Sequence, residues 1–247
     1  MIMKKVNHLD YLVIAMMRSG YHAVLYWLFK SMKQNVHFYN NCCCDLRKEH
    51  SQMEGTLEKF PGEGKTVTFG SMEDFPINLF KRFKQNVSLN DSCKLIIVYR
   101  DPFNWIASSL KAKDVRKRIN MFRCWKQDQL QIQIPPRINI YEIMMREVYL
   151  QKRLNILDKE TIKINFVKWF RDGNYRERIA HSFGCDPSPD VDFVSKHGKG
   201  SSFSGTKIRG SQLDVLNRYK KFKNDKKFKK LISHPNMYEF QKAVMEE

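Results

Sequence analysis

The sequence contains no apolar run close to the length of a membrane span, which takes about 20 residues. The longest early run, from Tyr11 to Met17, ends at Arg18. The chain also does not begin with a charged segment, an apolar stretch and a small-residue cleavage site, so no secretory signal peptide is predicted. We therefore expect a cytoplasmic protein without a membrane span.

Cysteine patterns typical of zinc sites are missing as well. The six cysteines include no Cys-x-x-Cys pair, and Cys42, Cys43 and Cys44 are adjacent in the chain. Because a structural zinc ion needs four ligands at suitable spacing, we predict no metal and interpret these residues as reduced thiols. Glycine and proline are scarce, at 11 and 8 residues, which argues against collagen-like and low-complexity chains.

Acidic residues are few relative to basic ones. Lys and Arg number 44 against 26 Asp and Glu, which gives a formal net charge of +18 in 247 residues. This charge indicates anionic partners, and nucleic acid, an acidic polysaccharide, a nucleotide cofactor and a membrane surface all fit it. With 42% hydrophobic residues the chain is too apolar to be disordered.

Short apolar runs alternate with segments of helical periodicity. The strand candidates are Tyr11–Met16, Val36–Tyr39, Lys65–Gly70, Lys94–Tyr99 and Thr161–Val167. Helices are expected in residues 21–32, 76–83, 104–110, 115–132, 141–157 and 175–183. The alternation predicts a single α/β domain over residues 1–247, with a mainly parallel central sheet flanked by helices.

Two long loops and a basic tail complete this organisation. Residues 40–64 are polar and irregular, and residues 186–212 are rich in Gly, Ser, Pro and Asp, so both are predicted to be loops. Residues 213–245 are predicted to be helical and very basic. Charge runs on helices are usually solvated faces, and that is our first interpretation of the tail lysines.

The first motif follows the first strand candidate directly: Arg18-Ser19-Gly20-Tyr21-His22, and then a helix. A tight strand-to-helix turn exposes backbone N–H groups and the positive end of the helix dipole, which together attract phosphate. Gly20 permits a close backbone approach, and Arg18 and His22 would add charge and donors. An ordinary turn with exposed polar residues explains this segment equally well on its own.

The second motif, Arg100-Asp101-Pro102, ends the strongest strand candidate, and Ser108 lies in the following helix. A guanidinium at a strand end can bind phosphate in a bidentate manner, and Ser108 can donate to the same anion. The alternative is a plain Arg–Asp turn with Ser108 on the helix surface.

These two motifs together resemble the sulfotransferases that use 3′-phosphoadenosine-5′-phosphosulfate (PAPS). Arg18-Ser-Gly is similar to their 5′-phosphosulfate loop, and Arg100 with Ser108 to their 3′-phosphate site. Cytosolic members usually carry Lys-Ser/Thr-Gly-Thr-Thr at the first motif, whereas Tyr21 and His22 replace the hydroxyl pair here. The resemblance implies cofactor contacts from Arg18, Ser19, Gly20, Tyr21, His22, Ala23, Arg100 and Ser108.

Two later segments extend the resemblance. Lys163–Trp169 resembles a strand-helix unit of the family in which Phe166 stands at a usual tyrosine, so stacking on adenine is expected there. Residues 198–205 resemble the late glycine-rich loop that closes over the 3′-phosphate. The contacts implied in that loop come from Lys199, Gly200, Ser201, Ser202 and Phe203.

The resemblance implies a P-loop-like fold and an enzyme that moves the sulfuryl group of PAPS to a hydroxyl. The acceptor would be a carbohydrate, an anionic one among them, or a small metabolite, and the product adenosine 3′,5′-bisphosphate. Arg18 would stabilise the leaving group in an in-line transfer that needs no metal. The expected general base is Glu73, with Asp74 and His22 as alternates.

Three other functions compete with this one. A sulfotransferase-like protein without activity would bind an anionic glycan only. A basic nucleic-acid-binding protein suits the charge, but the sequence shows no zinc finger, aromatic RNP pair, GXXG clamp or convincing helix-turn-helix. A nucleotide kinase is disfavoured because Gly64-Lys65-Thr66 lacks the earlier glycine of a Walker A motif, at Lys59, and precedes a strand.

Overall fold

The computed structural model describes residues 3–43, 53–73, 92–112, 161–192, 194, 201, 203–205, 208–233 and 235–246. Its strands are β1 Met3–Lys5, β2 Tyr11–Ala15, β3 Gln34–Cys43, β4 Glu54–Phe60, β5 Glu63–Glu73, β6 Lys94–Tyr99 and β7 Ile162–Asn165. Its α-helices are α1 Tyr21–Met32, α2 Pro102–Lys111, α3 Phe166–Arg171, α4 Gly173–Ser182, α5 Lys226–Ile232 and α6 Pro235–Glu246. Two 3₁₀ helices lie at Gly210–Gln212 and Arg218–Phe222.

The strands of the described residues form one seven-stranded sheet in the order β1-β4-β3-β5-β2-β6-β7. The five strands from β3 to β7 in this order pair in parallel. Only the pairs that involve β4, with β1 and with β3, are antiparallel. The predicted α/β fold with a mainly parallel sheet is therefore confirmed.

The described parts of residues 40–64 are not the long loop that we expected. β3 continues to Cys43, and β4 at Glu54–Phe60 turns within two residues into β5. β4 pairs antiparallel with both of its neighbours, and an antiparallel strand needs no continuous apolar run. This is why its mixed sequence, EGTLEKF, resembled a loop. Gly64-Lys65-Thr66 lies inside β5 and begins no helix.

Other boundaries also differ from the expected ones. β7 ends at Asn165, because the Asn165 side chain accepts hydrogen bonds from Val167 N and Lys168 N and so caps α3. The tail is three separate short helical segments rather than one, and Asp225 caps α5 by accepting from Phe228 N at 2.8 Å. The helices expected in residues 76–83, 115–132 and 141–157 lie outside the described residues.

The chain reverses its direction of travel across the sheet at β2. From β2 it passes to β3 on one side, and from β5 it crosses past β2 to β6 on the other side. Such a switch point opens a crevice at the carboxyl ends of the strands, which is where ligands of open α/β sheets bind. In this chain the crevice lies between the ends of β2 and β6.

Apolar clusters hold the helices in place on the sheet and against one another. Val13, Ile96 and Ile164 pack with Trp27 of α1 and Trp169 of α3 in the larger cluster. A second cluster joins α2 to α5 and α6 through buried residues that include Ile106, Phe228 and Phe240. The basic tail is thus packed on its apolar side against α2. No helix of the described residues is long and apolar enough to cross a membrane.

Gly20 gives the first prediction, because two independent constraints act on it. Its φ is 92°, and a Cβ added there would lie 2.4 Å from the Phe166 ring. Gly20→Ala should cost about 1–2 kcal/mol for the left-handed backbone and about 1–3 kcal/mol for overpacking. Gly64→Ala is the control, since Gly64 has φ 69° and nothing within 4 Å of an added Cβ.

Urea denaturation measures both costs. The control should lose only the backbone cost, and Phe166→Ala should cost less in the Gly20→Ala background than alone, because it relieves the clash. Equal losses for the two glycine variants would contradict a close contact between Gly20 and Phe166.

Candidate anion-binding site

Four of the predicted site residues lie at one edge of the sheet. β5, β2, β6 and β7 are neighbours that run in parallel, so their carboxyl ends meet at the same edge. Glu73 is the last residue of β5, and Arg18 follows β2 by three residues. Arg100 and Phe166 each come directly after a strand, β6 and β7 respectively. The motifs that are distant in sequence are therefore brought together.

The turn after β2 is shaped for close approach to its backbone. Arg18 and Gly20 both have left-handed conformations, with φ of 67° and 92°. Because Gly20 is the N-cap of α1, no side chain caps this helix, and its first turn contains no acidic residue. Ser19 is buried, and its Oγ has no hydrogen-bond partner within the described parts of the chain. An uncapped helix end and a buried unpaired hydroxyl are suited to an anion.

Arg100 connects this turn to the rest of the site. It is 4% exposed, and its Nη1 donates to the Arg18 carbonyl at 3.4 Å. Its Nη2 donates to the Val215 carbonyl, and its guanidinium carbon lies 4.8 Å from the centre of the Phe166 ring. Burial lowers the pKa of Arg100, although Asp101 opposes the shift. The cation is therefore held in a place that disfavours its charge.

Asp101 supplies a carboxylate here, but one of its two oxygens already accepts hydrogen bonds from Asn104. Its Oδ1 accepts from the backbone N–H of Asn104 at 3.0 Å and from the Asn104 amide at 2.9 Å, which caps α2. Its Oδ2 is 3.7 Å from Nε of Arg100, without a hydrogen bond. Asp101 thus orders the helix and offsets only part of the positive charge.

Ser108 contacts an arginine that the sequence analysis did not identify. Arg218, in the 3₁₀ helix Arg218–Phe222, donates to Ser108 Oγ at 3.1 Å and to Ser201 Oγ at 3.0 Å. Burial, together with the charges of Arg100 and Arg18, lowers the pKa of Arg218 to about 9, and Asp214 and Asp101 oppose this shift. The Arg218 guanidinium is therefore close enough to Arg100 and Arg18 to be repelled by both.

The sequence contains a weak signal for Arg218. From residue 213 to the end of the chain it is the only arginine among many lysines. Arginine is the residue that binds phosphate through a planar fork and tolerates burial best, so an isolated one in a lysine-rich segment marks a different role. The general charge of the tail concealed this difference.

The late glycine-rich loop reaches the same place. Ser201 and Gly205 exchange two backbone hydrogen bonds, and Ser201 accepts from Arg218. The guanidinium carbon of Arg218 lies over the Phe203 ring at 5.1 Å from its centre, and Lys221 Nζ lies over the same ring at 5.4 Å. The expected contacts of Lys199, Gly200 and Ser202 lie outside the described residues, as does Asp74.

Phe166 lies beneath the turn rather than on an open surface. It is 3% exposed, contacts Gly20, and packs against Trp169 at 5.7 Å between ring centres. Together with Arg100 on its face, these contacts make the ring a support for the site. Its expected stacking on adenine stays a prediction.

A separate polar cluster occupies the beginning of α1 on the side of β3 and β5. Asn40 is fully buried, and its Oδ1 accepts from the Tyr21 hydroxyl at 3.3 Å and from Ser71 Oγ at 3.2 Å. His22 Nε2 lies 3.3 Å from the same oxygen, so a proton on Nε2 completes the arrangement. Half-buried Glu73 follows Ser71 by two residues on β5.

Ala23 completes the set of predicted contacts. It is half-buried in the first turn of α1, where its N–H donates to the Gly20 carbonyl at 3.0 Å. Its own N–H is therefore used within the helix.

No group of three or more His, Cys, Asp or Glu side chains in the described ranges is placed to hold a metal ion. The Cys42 thiol is buried and donates to the Tyr39 carbonyl at 3.1 Å, and the Cys185 thiol donates to the Ala180 carbonyl at 3.3 Å. The chain matches no protein-family model and no curated protein. The function of the chain is therefore inferred from the geometry of the site.

Asn40 gives the second prediction. Asn40→Ala should lower the free energy of unfolding by about 1–3 kcal/mol, because a buried acceptor of several hydrogen bonds is removed. Asn35→Ala is the matched control on the same strand, where the side chain bonds Gly62 N and Gly64 O near the surface and water can replace it. Urea denaturation should show the larger loss for Asn40, and a loss no larger than that of the control would contradict its role as a hub.

Arg218 gives the third prediction. Since its pKa is lowered in the fold, the cost of burying the cation grows as the pH falls toward about 9 and is at its full value below that pH. An anion that pairs with the cation relieves this cost. Sulfate should raise the Tm at about pH 7.5 and raise it less at about pH 9.5, where the group loses its proton. Arg218→Met should weaken sulfate binding about 10- to 100-fold, which is the loss expected for charge-assisted hydrogen bonds.

Arg209→Met is the control for this experiment, because Arg209 is exposed and lies 3.9 Å from Asp192. It should keep the sulfate response of the unchanged protein. A full sulfate response in Arg218→Met would show that the anion binds elsewhere.

Proposed function

We propose that the protein is a sulfotransferase that binds PAPS at the carboxyl ends of β2 and β6 and transfers its sulfuryl group to a hydroxyl. One observation carries the proposal: Arg100 and Arg218 are both buried, Arg100 donates to the Arg18 carbonyl, and Arg218 is near enough to Arg100 for their charges to interact. Asp101 and Asp214 offset only part of this positive charge. Such a cluster is costly unless an anion binds it. A ligand with two separate anionic groups would fit an arginine cluster of this size.

The two donor sets correspond to the two ends of such a ligand. The uncapped end of α1, with Arg18 and Ser19, would hold the 5′-phosphosulfate. Arg218, Ser108 and Ser201 would hold the 3′-phosphate. Arg100 lies between the sets, because it bonds the Arg18 carbonyl and its charge lowers the pKa of Arg218.

The reaction follows from this placement. The acceptor oxygen attacks sulfur as the bond from sulfur to the bridging phosphate oxygen breaks, and the electron pair of that bond goes to the leaving phosphate. Arg18 and the N–H groups of α1 stabilise the negative charge that develops there. The proton of the acceptor hydroxyl passes to Glu73 at the end of β5, or to His22.

A protein that binds anionic glycans without catalysis would use the same positive cluster. It differs in its dependence on Arg18, because stabilisation of a leaving group matters only when a bond breaks. Loss of turnover with retained ligand affinity in an Arg18 variant therefore identifies the enzyme.

The fourth prediction tests the cofactor. Adenosine 3′,5′-bisphosphate should raise the Tm clearly, and 5′-AMP much less, because only the bisphosphate engages both donor sets. Arg18→Ala should reduce PAPS-dependent sulfuryl transfer by about 100-fold or more, as the loss of a transition-state donor does. Exposed Arg171, in the last turn of α3, provides the control variant Arg171→Ala.

Both readouts are needed for the decision. Equal stabilisation by the two nucleotides, or none by either, would overturn PAPS binding. A bisphosphate shift without any transfer to a panel of hydroxyl acceptors would favour the binding protein.

A further inference from the structure

Residues 218–230 concentrate a large part of the charge of the chain. They contain Arg218 and seven lysines against one carboxylate, which is a net +7 of the total +18. We call the seven lysines of residues 220–230 the lysine tract. All seven are exposed, in the 3₁₀ helix Arg218–Phe222, in α5 and in the turn between them.

The lysine tract is not neutralised by its surroundings. Its one carboxylate, Asp225, is engaged in capping α5 through Phe228 N. Within the parts of the chain that the structure describes, no lysine of the tract forms an ion pair. Solvated faces of helices usually alternate the two signs of charge, whereas this surface has one sign.

The tract is also continuous with the anion site. Arg218 bonds Ser108 and Ser201 inside the site, and Lys221 Nζ lies over the same Phe203 ring as Arg218. From there the lysines lead outward along α5, which is anchored on α2 by buried Phe228 and Leu231. The surface is therefore held in a fixed position relative to the site.

The character of the tract favours one class of polyanion. Proteins that bind single-stranded nucleic acid add exposed aromatic rings on which bases stack. Here Phe228 is buried, and Tyr219 and Phe222 are half-buried in the second apolar cluster. α5 is also packed along its apolar side, so it is not free to enter a DNA groove. What remains is a set of closely spaced exposed lysines along residues 220–230, which suits the repeated sulfates or carboxylates of an acidic polysaccharide.

We infer that the lysine tract is the docking surface for an acidic polysaccharide that serves as the acceptor chain. This inference rests on the proposed function for its catalytic part, because the tract would lead a hydroxyl of the chain toward the sulfuryl donor. The surface itself requires only the positions of Arg218, Lys221 and the lysines of α5.

The experiment measures binding of a size-defined heparin oligosaccharide to the full chain by titration calorimetry at physiological salt. The test variant changes Lys226, Lys227, Lys229 and Lys230 to Gln. The control variant changes Lys4, Lys5, Lys59 and Lys65 to Gln, which are exposed lysines of β1, β4 and β5, so both variants lose the same charge. A neutral oligosaccharide of the same length and a DNA duplex are the comparison ligands.

We expect the test variant to bind the oligosaccharide about tenfold more weakly or worse, and the control variant to bind like the unchanged protein. Equal weakening in both variants would mean that only net charge matters, which overturns the docking surface. Tighter binding of the duplex through the same four lysines would overturn the assignment to a polysaccharide.

The bisphosphate separates this inference from the proposed function. A Tm shift by adenosine 3′,5′-bisphosphate that persists in the test variant, together with no localised oligosaccharide binding, overturns the docking surface alone. Localised oligosaccharide binding without any bisphosphate shift overturns the proposed function and supports the surface.

Discussion

The structure depends on a concentration of positive charge in a place with little water. Arg100 is almost completely buried, Arg218 nearly so, and the charge of each disfavours that of the other. Both are held by carbonyl and hydroxyl oxygens, which orient a guanidinium without neutralising it. We propose that this free-energy cost is recovered as binding affinity when a dianionic ligand occupies the site.

The backbone around Gly20 makes this concentration possible. Because Gly20 has no side chain, the Phe166 ring can lie directly under the turn, and Arg100 then packs on the same ring. The turn that presents the end of α1 and the arginine that follows β6 therefore share one support from the end of β7. Three segments that are far apart in sequence become a single rigid surface through one aromatic side chain.

The fold class was predictable because apolar runs such as Lys94–Tyr99 identify buried parallel strands without ambiguity. β4 was not predictable, since an antiparallel strand with a mixed surface has no such run. The motifs around Arg18 and Arg100 could be recognised because each joins a strand to a helix. Arg218 has only the weak signal of a lone arginine in a lysine-rich tail, because its role arises from tertiary packing against Ser108.

The division between arginine and lysine in the tail has a physical reason. A guanidinium is weakly hydrated and can be buried while it donates in fixed directions, as Arg218 does to Ser108 and Ser201. An ammonium group is strongly hydrated and remains at the surface, where it acts over distance and without fixed geometry. A segment with one buried arginine followed by seven exposed lysines therefore combines two kinds of cation. In the functions that we propose, the arginine would fix a small anion in one position, and the lysines would hold a longer anionic chain in many closely related ones.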